Sequence, residues 1–123
     1  MSEILDLARR LGEKLAASEE YRAFRTAQAE VDKNVAAQFM LRDFRTRQYE
    51  VEKAKLAGTF TPEMVRDLQE KAQIISANPI VRDFLVAEAA FGNLMMDVQR
   101  LIGEAVGIKL DEAAGAPAGE VRQ

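Results

Sequence analysis

Basic and aromatic side chains recur at helical spacing in the middle of the chain. Steps of four, three, four and four residues place on one helical face the side chains of Gln38, Arg42, Arg45, Tyr49 and Lys53. Such a face can contact RNA phosphates and stack a base, or it can receive an acidic partner helix. An ordinary solvated face is the alternative, since Asp43, Glu50 and Glu52 lie nearby and offset the positive charge. This set, the basic ridge, is a candidate site for a protein partner or for RNA.

Two of the residue types that enzymes use most often for catalysis are missing from this chain. It contains no cysteine and no histidine, which removes thiolate ligands, a cysteine nucleophile, the commonest general base and the commonest metal ligand. The serines are Ser2, Ser18 and Ser76, and none can join a hydrolytic triad without histidine. No glycine-rich phosphate-binding motif is present. We therefore expect no enzymatic activity, no cofactor and no metal site.

The balance of charge narrows the range of partners. Among 123 residues, 17 are basic and 20 are acidic, giving a net charge of −3. A molecule with this net negative charge has no general attraction for DNA or for an anionic membrane, so neither is an expected partner. The amphipathic N-terminal segment lacks the continuous apolar core of a signal peptide, and no apolar run reaches the ~18 residues of a membrane span. We expect a cytoplasmic protein.

Apolar residues repeat every three or four positions throughout the chain, while alternating strand patterns are absent. The sequence predicts an all-α fold with five helices near residues 3–17, 19–32, 35–57, 62–76 and 79–106. Expected caps are Ser18, Gly58, Thr61 followed by proline, and Asn78 followed by proline. The third and fourth helices should form a long antiparallel hairpin packed on a central C-terminal helix. Residues 1–106 are thus predicted to form one helical domain, and residues 107–123 a flexible tail.

Two helices carry more apolar surface than one neighbour would cover. The first helix has a stripe that needs a partner surface, made of Ile4, Leu7, Ala8, Leu11 and Leu15. The last helix has a broad core face and, beside it, a second seam with 4-3-4 spacing formed by Leu85, Ala89, Gly92 and Met96. This seam contacts either another helix of the same chain or a second subunit, since two-fold homodimers are the commonest oligomers. We expect self-association, with a dimer as the first possibility.

Three blocks of the sequence resemble one family of bacterial helical proteins. They are "LARRLGEKLAASEEYRAFRTAQAEVDKN", "FMLRDFRTRQYEVEKAKLAGTFTPE" and "NPIVRDFLVAEAAFGNLMMDVQRLIGEAV". In order and spacing these blocks resemble the YlbF/YmcA family, and "MLRDFRTRQ" together with the lack of cysteine is most similar to its YheA-like branch. The resemblance covers roughly residues 4 to 106.

The resemblance implies a helical, cytoplasmic bacterial protein that associates with itself or with relatives. Better-known members of the family resemble regulators of competence, biofilm formation and sporulation, which work in a complex that carries iron–sulfur clusters and modulates an RNA-cleaving machine. Without cysteine this chain offers no thiolate ligand for such a cluster. Two hypotheses follow: an oligomeric scaffold or adaptor that binds another protein, with a regulatory effect, or an RNA-binding accessory protein that uses the basic ridge. The first is favoured.

Overall fold

A computed structural model describes residues 2–108, and within this range the chain is helical and contains no strand. The five helices are α1 (Glu3–Ala16), α2 (Glu19–Asp32), α3 (Val35–Ala57), α4 (Pro62–Ser76) and α5 (Pro79–Val106). The prediction of an all-α fold with five helices is confirmed. None of these helices has an apolar stretch long enough to cross a bilayer.

The helix ends follow from local side-chain chemistry. Ser18 Oγ accepts a hydrogen bond from the Tyr21 amide at 3.1 Å, and Thr61 Oγ1 accepts one from Met64 at 3.3 Å. Asn78 Oδ1 accepts from the amide of Ile80 at 2.9 Å, directly before α5. Gly58 ends α3 with a φ of 78°, a left-handed conformation that glycine adopts without steric cost. The caps predicted from the sequence are confirmed.

Packing divides the chain into two compact units, one running to Ala87 and the other beginning at Glu88. The first unit contains α1 to α4 and the start of α5. Its core brings together four helices through Val31, Ala37, Ile75, Val81 and Phe84. The α3–α4 hairpin is closed by the turn after Ala57, where the Thr59 amide donates to the Ala54 carbonyl at 2.9 Å.

The second unit, as far as it is described, continues α5 and ends just beyond it. On the broad apolar face of α5, Phe91, Leu94, Met95 and Val98 are half-buried, whereas Leu101 and Ile102 are exposed. The expected tail at residues 107–123 lies outside the described residues from residue 109 onwards. A single domain over residues 1–106 stays a prediction.

Candidate functional site

The end of α2 and the first half of α3 form an open groove. It is lined by Val31, Asp32, Gln38, Leu41, Arg42, Arg45, Thr46 and Tyr49. Four of the five residues of the basic ridge therefore lie along one concavity. The fifth, Lys53, lies next to it on α3, with its ammonium 5.8 Å from the centroid of the Tyr49 ring. The residues of the basic ridge, identified by their helical spacing, therefore lie along the groove or next to it.

Gln38 has a structural role that its spacing does not reveal. Its side-chain amide donates to the carbonyl oxygens of Val31, at 3.2 Å, and of Asp32, at 2.8 Å. These carbonyls belong to the last turn of α2, which contains no basic residue to satisfy them. Gln38 thus ties the end of α2 to the start of α3 and shapes the groove, and its donor atoms are already used.

The two arginines of the groove differ in their surroundings. The guanidinium of Arg45 lies 5.9 Å from the ring centroid of Phe84, a core residue, which anchors it by a cation–π contact. Arg42 is exposed and makes no ion pair with any residue from 2 to 108. Tyr49, two turns further along α3, exposes 66% of its surface. Arg42 and Tyr49 are therefore the groups that the groove presents outwards.

The carboxylate of Asp43 pairs with Arg47 rather than with a residue of the ridge. It accepts a hydrogen bond from Arg47 Nε at 3.2 Å, and Arg47 Nη1 lies 2.7 Å from Asp67 on α4. The hydrogen bond with Asp43, together with the charges of both carboxylates, raises the pKa of Arg47. Arg47 links the two helices of the hairpin. The four-residue spacing of Asp43 and Arg47 could have been recognised in the sequence, but the partner on α4 could not.

The second seam of α5 is only partly covered. Leu85, in the first unit, is half-buried and packs against the core. Ala89, Gly92 and Met96, in the second unit, are exposed, and Met96 exposes 54% of its surface. Nothing lies within 4 Å of the position that a Cβ atom would take at Gly92. Three of the four seam positions thus offer a narrow surface on which another helix can approach closely.

No chemistry beyond binding is apparent at either place. Within residues 2–108 no three acidic side chains converge in a way that could hold a metal ion. The groove contains arginine, tyrosine and glutamine, and the seam contains alanine, glycine and methionine. Within the described residues the protein is all-helical, and the groove and the seam are its two candidate contact surfaces.

Comparison with known proteins identifies the family. A family described as "Control of competence regulator ComK, YlbF/YmcA" matches residues 4–107, so this chain belongs to the YlbF/YmcA family. The family is linked to control of the competence regulator ComK. The resemblance drawn from the sequence is confirmed at this level, whereas membership of the YheA-like branch stays a prediction. No solved structure matches the chain.

Several similar bacterial proteins carry the name UPF0342 protein. That of Caldicellulosiruptor saccharolyticus is 34% identical over 116 residues, which cover 94% of this chain and 96% of the relative. The one from Symbiobacterium thermophilum is 35% identical over 106 residues, covering 85% of this chain and 95% of the relative. A relative in Streptococcus mutans is 30% identical over 105 residues, covering 80% of this chain and 88% of the relative. The similarity therefore extends over nearly the whole length of each protein.

Proposed function

We propose that this chain is a non-enzymatic helical adaptor that self-associates, binds another protein and acts in regulation. The observation that carries the proposal is the apolar surface on α5 beyond Glu88. Met96, Leu101, Ile102 and Val106 are all exposed on this single helix. Large exposed apolar side chains grouped on one helix, rather than scattered singly over a surface, are a feature of sites of protein association.

The composition of the seam favours a second helix as its occupant. Ala89 and Gly92 are small enough for two helix backbones to approach closely, and Met96 is flexible enough to fill an irregular gap. A two-fold pairing of this seam with its own copy is the simplest arrangement, because one surface then serves both subunits. The link between the family and control of ComK supports a regulatory effect for this chain. The protein is expected to act in the cytoplasm.

The test is the solution mass of the intact chain compared with that of an Ala89→Glu/Met96→Glu variant. Leu85 is left unchanged because it packs against the core of the first unit. The control is Ala90→Glu, which adds a carboxylate at an exposed position about 100° or more around the helix axis from each seam residue. Burying carboxylates in an apolar seam is strongly unfavourable, whereas the control places its carboxylate in water.

The wild type and the control variant should have at least twice the 13.7 kDa mass of the monomer, and the seam variant should have a lower mass with unchanged helicity. A monomeric wild type would refute self-association. An oligomeric wild type with an unaffected seam variant would place the interface elsewhere.

RNA binding through the groove is the second candidate function. The observation that favours it is that Arg42, without an ion pair among the described residues, and the exposed ring of Tyr49 line the same groove. An arginine and an exposed aromatic ring along one groove are side chains with which proteins contact the phosphates and stack the bases of single-stranded RNA. Against this role, Gln38 and Arg45 are both engaged in packing interactions.

Single-stranded RNA retention separates the two functions. Arg42→Glu should abolish retention, while Arg22→Glu, at an exposed position on α2 outside the groove, should preserve it. Retention by the wild type should also weaken steeply as salt rises, because phosphate contacts release counterions. Retention that is absent, or equal in both variants, would exclude RNA binding by the groove.

A further inference from the structure

Helix α1 exposes its apolar stripe from Ile4 to Leu11, whereas Leu15 near its end is half-buried. Exposure ranges from 37% at Leu11 through 50% at Leu7 to 76% at Ile4, and no residue of the helix is buried. An isolated helix of 14 residues is only marginally stable in water, so this one requires a packing partner. The partner must present an apolar surface of matching length.

The charges of α1 are arranged in a way that a second copy of the same helix would match. Glu3 lies in the first turn and Lys14 in the last. At 100° per residue, the step of eleven residues from Glu3 to Lys14 brings the two side chains to within about 20° of each other around the helix axis. Both lie on the same flank of the apolar stripe. Neither has an ion pair within residues 2–108.

We propose that α1 is a self-complementary docking helix, which pairs in antiparallel fashion with α1 of a second copy. A two-fold axis across the pair brings equal flanks together, so Glu3 faces Lys14 of the partner subunit, and the same contact forms a second time by symmetry. In this register Leu7 packs against Leu11 of the partner subunit. One antiparallel alignment thus pairs both the apolar stripes and the charged side chains of the two helices.

A parallel pairing fits the same residues less well. It would bring the flank with Glu3 and Lys14 against the opposite flank of the partner helix, which carries Leu5 and Gly12, so neither charge would face an opposite charge. It would also align the dipoles of the two helices in the same direction. The antiparallel alignment pairs each of these charges with an opposite charge and opposes the two helix dipoles.

This inference rests on the proposed self-association but uses a different helix from the α5 seam. Changes in α1 and changes in α5 therefore test separate surfaces. If the chain pairs through both, two distinct two-fold interfaces generate a larger closed assembly or an open filament. In every case, loss of α1 pairing lowers the solution mass.

Charge reversal tests the pairing directly. Glu3→Lys and Lys14→Glu should each raise the dissociation constant of the pair roughly tenfold at low salt, since each creates two like-charge contacts in a symmetric dimer. The double variant Glu3→Lys/Lys14→Glu should return it to within about threefold of the wild type. Glu13→Lys is the control, because Glu13 is exposed on the side of α1 away from the stripe.

Rescue in the double variant is diagnostic. Both reversals oppose the dipole of α1, so intrinsic helix stability alone predicts that the double variant is the weakest of the four. Restored affinity requires that Glu3 and Lys14 interact between subunits. An additive loss in the double variant would overturn the antiparallel pairing.

Cross-linking provides a second measurement that leaves the charges unchanged. The native chain contains no cysteine, so a single introduced thiol reports on one position. Ala8→Cys lies near the expected two-fold axis and should form a covalent dimer under mild oxidation at least tenfold faster than Glu13→Cys. Adding Leu7→Glu should suppress that reaction. Equal rates for the two cysteine variants would overturn the proposal, and an oligomeric wild type in the same experiment would show that self-association itself still stands.

Discussion

Val81 provides the sharpest test of the core, because α5 carries a second valine as its own control. Val81 exposes 0% of its surface, whereas Val86 on the same helix exposes 64%. Both can be changed to alanine, which removes the same atoms and changes helix propensity by the same amount. The difference between the two variants therefore measures burial alone.

The expected size of that difference follows from the environment of Val81. Val81 lies in the core cluster with Val31, Ala37, Ile75 and Phe84. Removing two buried carbon groups costs about 0.8 kcal/mol each, and the cavity that remains brings the total to roughly 2 kcal/mol. The gain in helix propensity, at most about 0.5 kcal/mol, applies to both variants. Val81→Ala should thus be less stable than Val86→Ala by about 2 kcal/mol, or roughly 30-fold in the folding equilibrium.

Urea unfolding followed by circular dichroism measures this difference. Titrations at several protein concentrations are needed, because self-association contributes to apparent stability. The denaturant dependence should be the same in both variants. A difference below about 0.5 kcal/mol would show that Val81 is not packed in the core and would refute the arrangement of α2 to α5 in the first unit.

Two further predictions concern helix ends. Gly58→Ala should lower the free energy of unfolding by about 1 kcal/mol, because residue 58 has a φ of 78°. The control Gly12→Ala, in an open position within α1, should raise it by up to about 1 kcal/mol. Equal effects of the two variants in thermal unfolding would contradict the left-handed end of α3. Gln38→Glu should destabilise the first unit by about 1 kcal/mol at neutral pH, because a carboxylate replaces the amide that donates to the last carbonyls of α2. The control Gln48→Glu, at an exposed position, should leave the free energy of unfolding unchanged. Chemical unfolding of both variants measures the difference.

The local structure was readily predictable from the sequence. Thr61 followed by Pro62, and Asn78 followed by Pro79, each satisfy the first amides of a helix in a way that few other residues can. Gly58 fits the left-handed residue that ends α3. These signals depend on neighbours in the chain, so the five helices could be located without knowledge of the tertiary fold.

The roles of individual side chains at the candidate site were less predictable. Spacing placed Gln38 and Arg45 on the same ridge as Arg42, yet Gln38 binds the end of α2 and Arg45 lies against Phe84. Both interactions join residues that are distant in sequence or belong to different helices. A helical-wheel argument assigns a residue to a face, but it does not show which neighbour has already used that residue's hydrogen bonds or charge.

Exposure of the apolar stripe on α1 is the feature with the widest consequence. The sequence indicated that this stripe needs a partner, and the structure shows that Ile4, Leu7 and Leu11 are exposed. The same holds for Met96 and Ile102 on α5. Both helices therefore gain stability if a further chain covers these residues.

The most direct test of this account is the mass of the unmodified chain, measured by light scattering over a range of concentrations. We predict a mass of at least twice the 13.7 kDa monomer, with dissociation on dilution and little sensitivity to salt at the α5 seam. A mass that stays at the monomer value at every concentration would contradict the self-associating adaptor, and with it the pairing of α1.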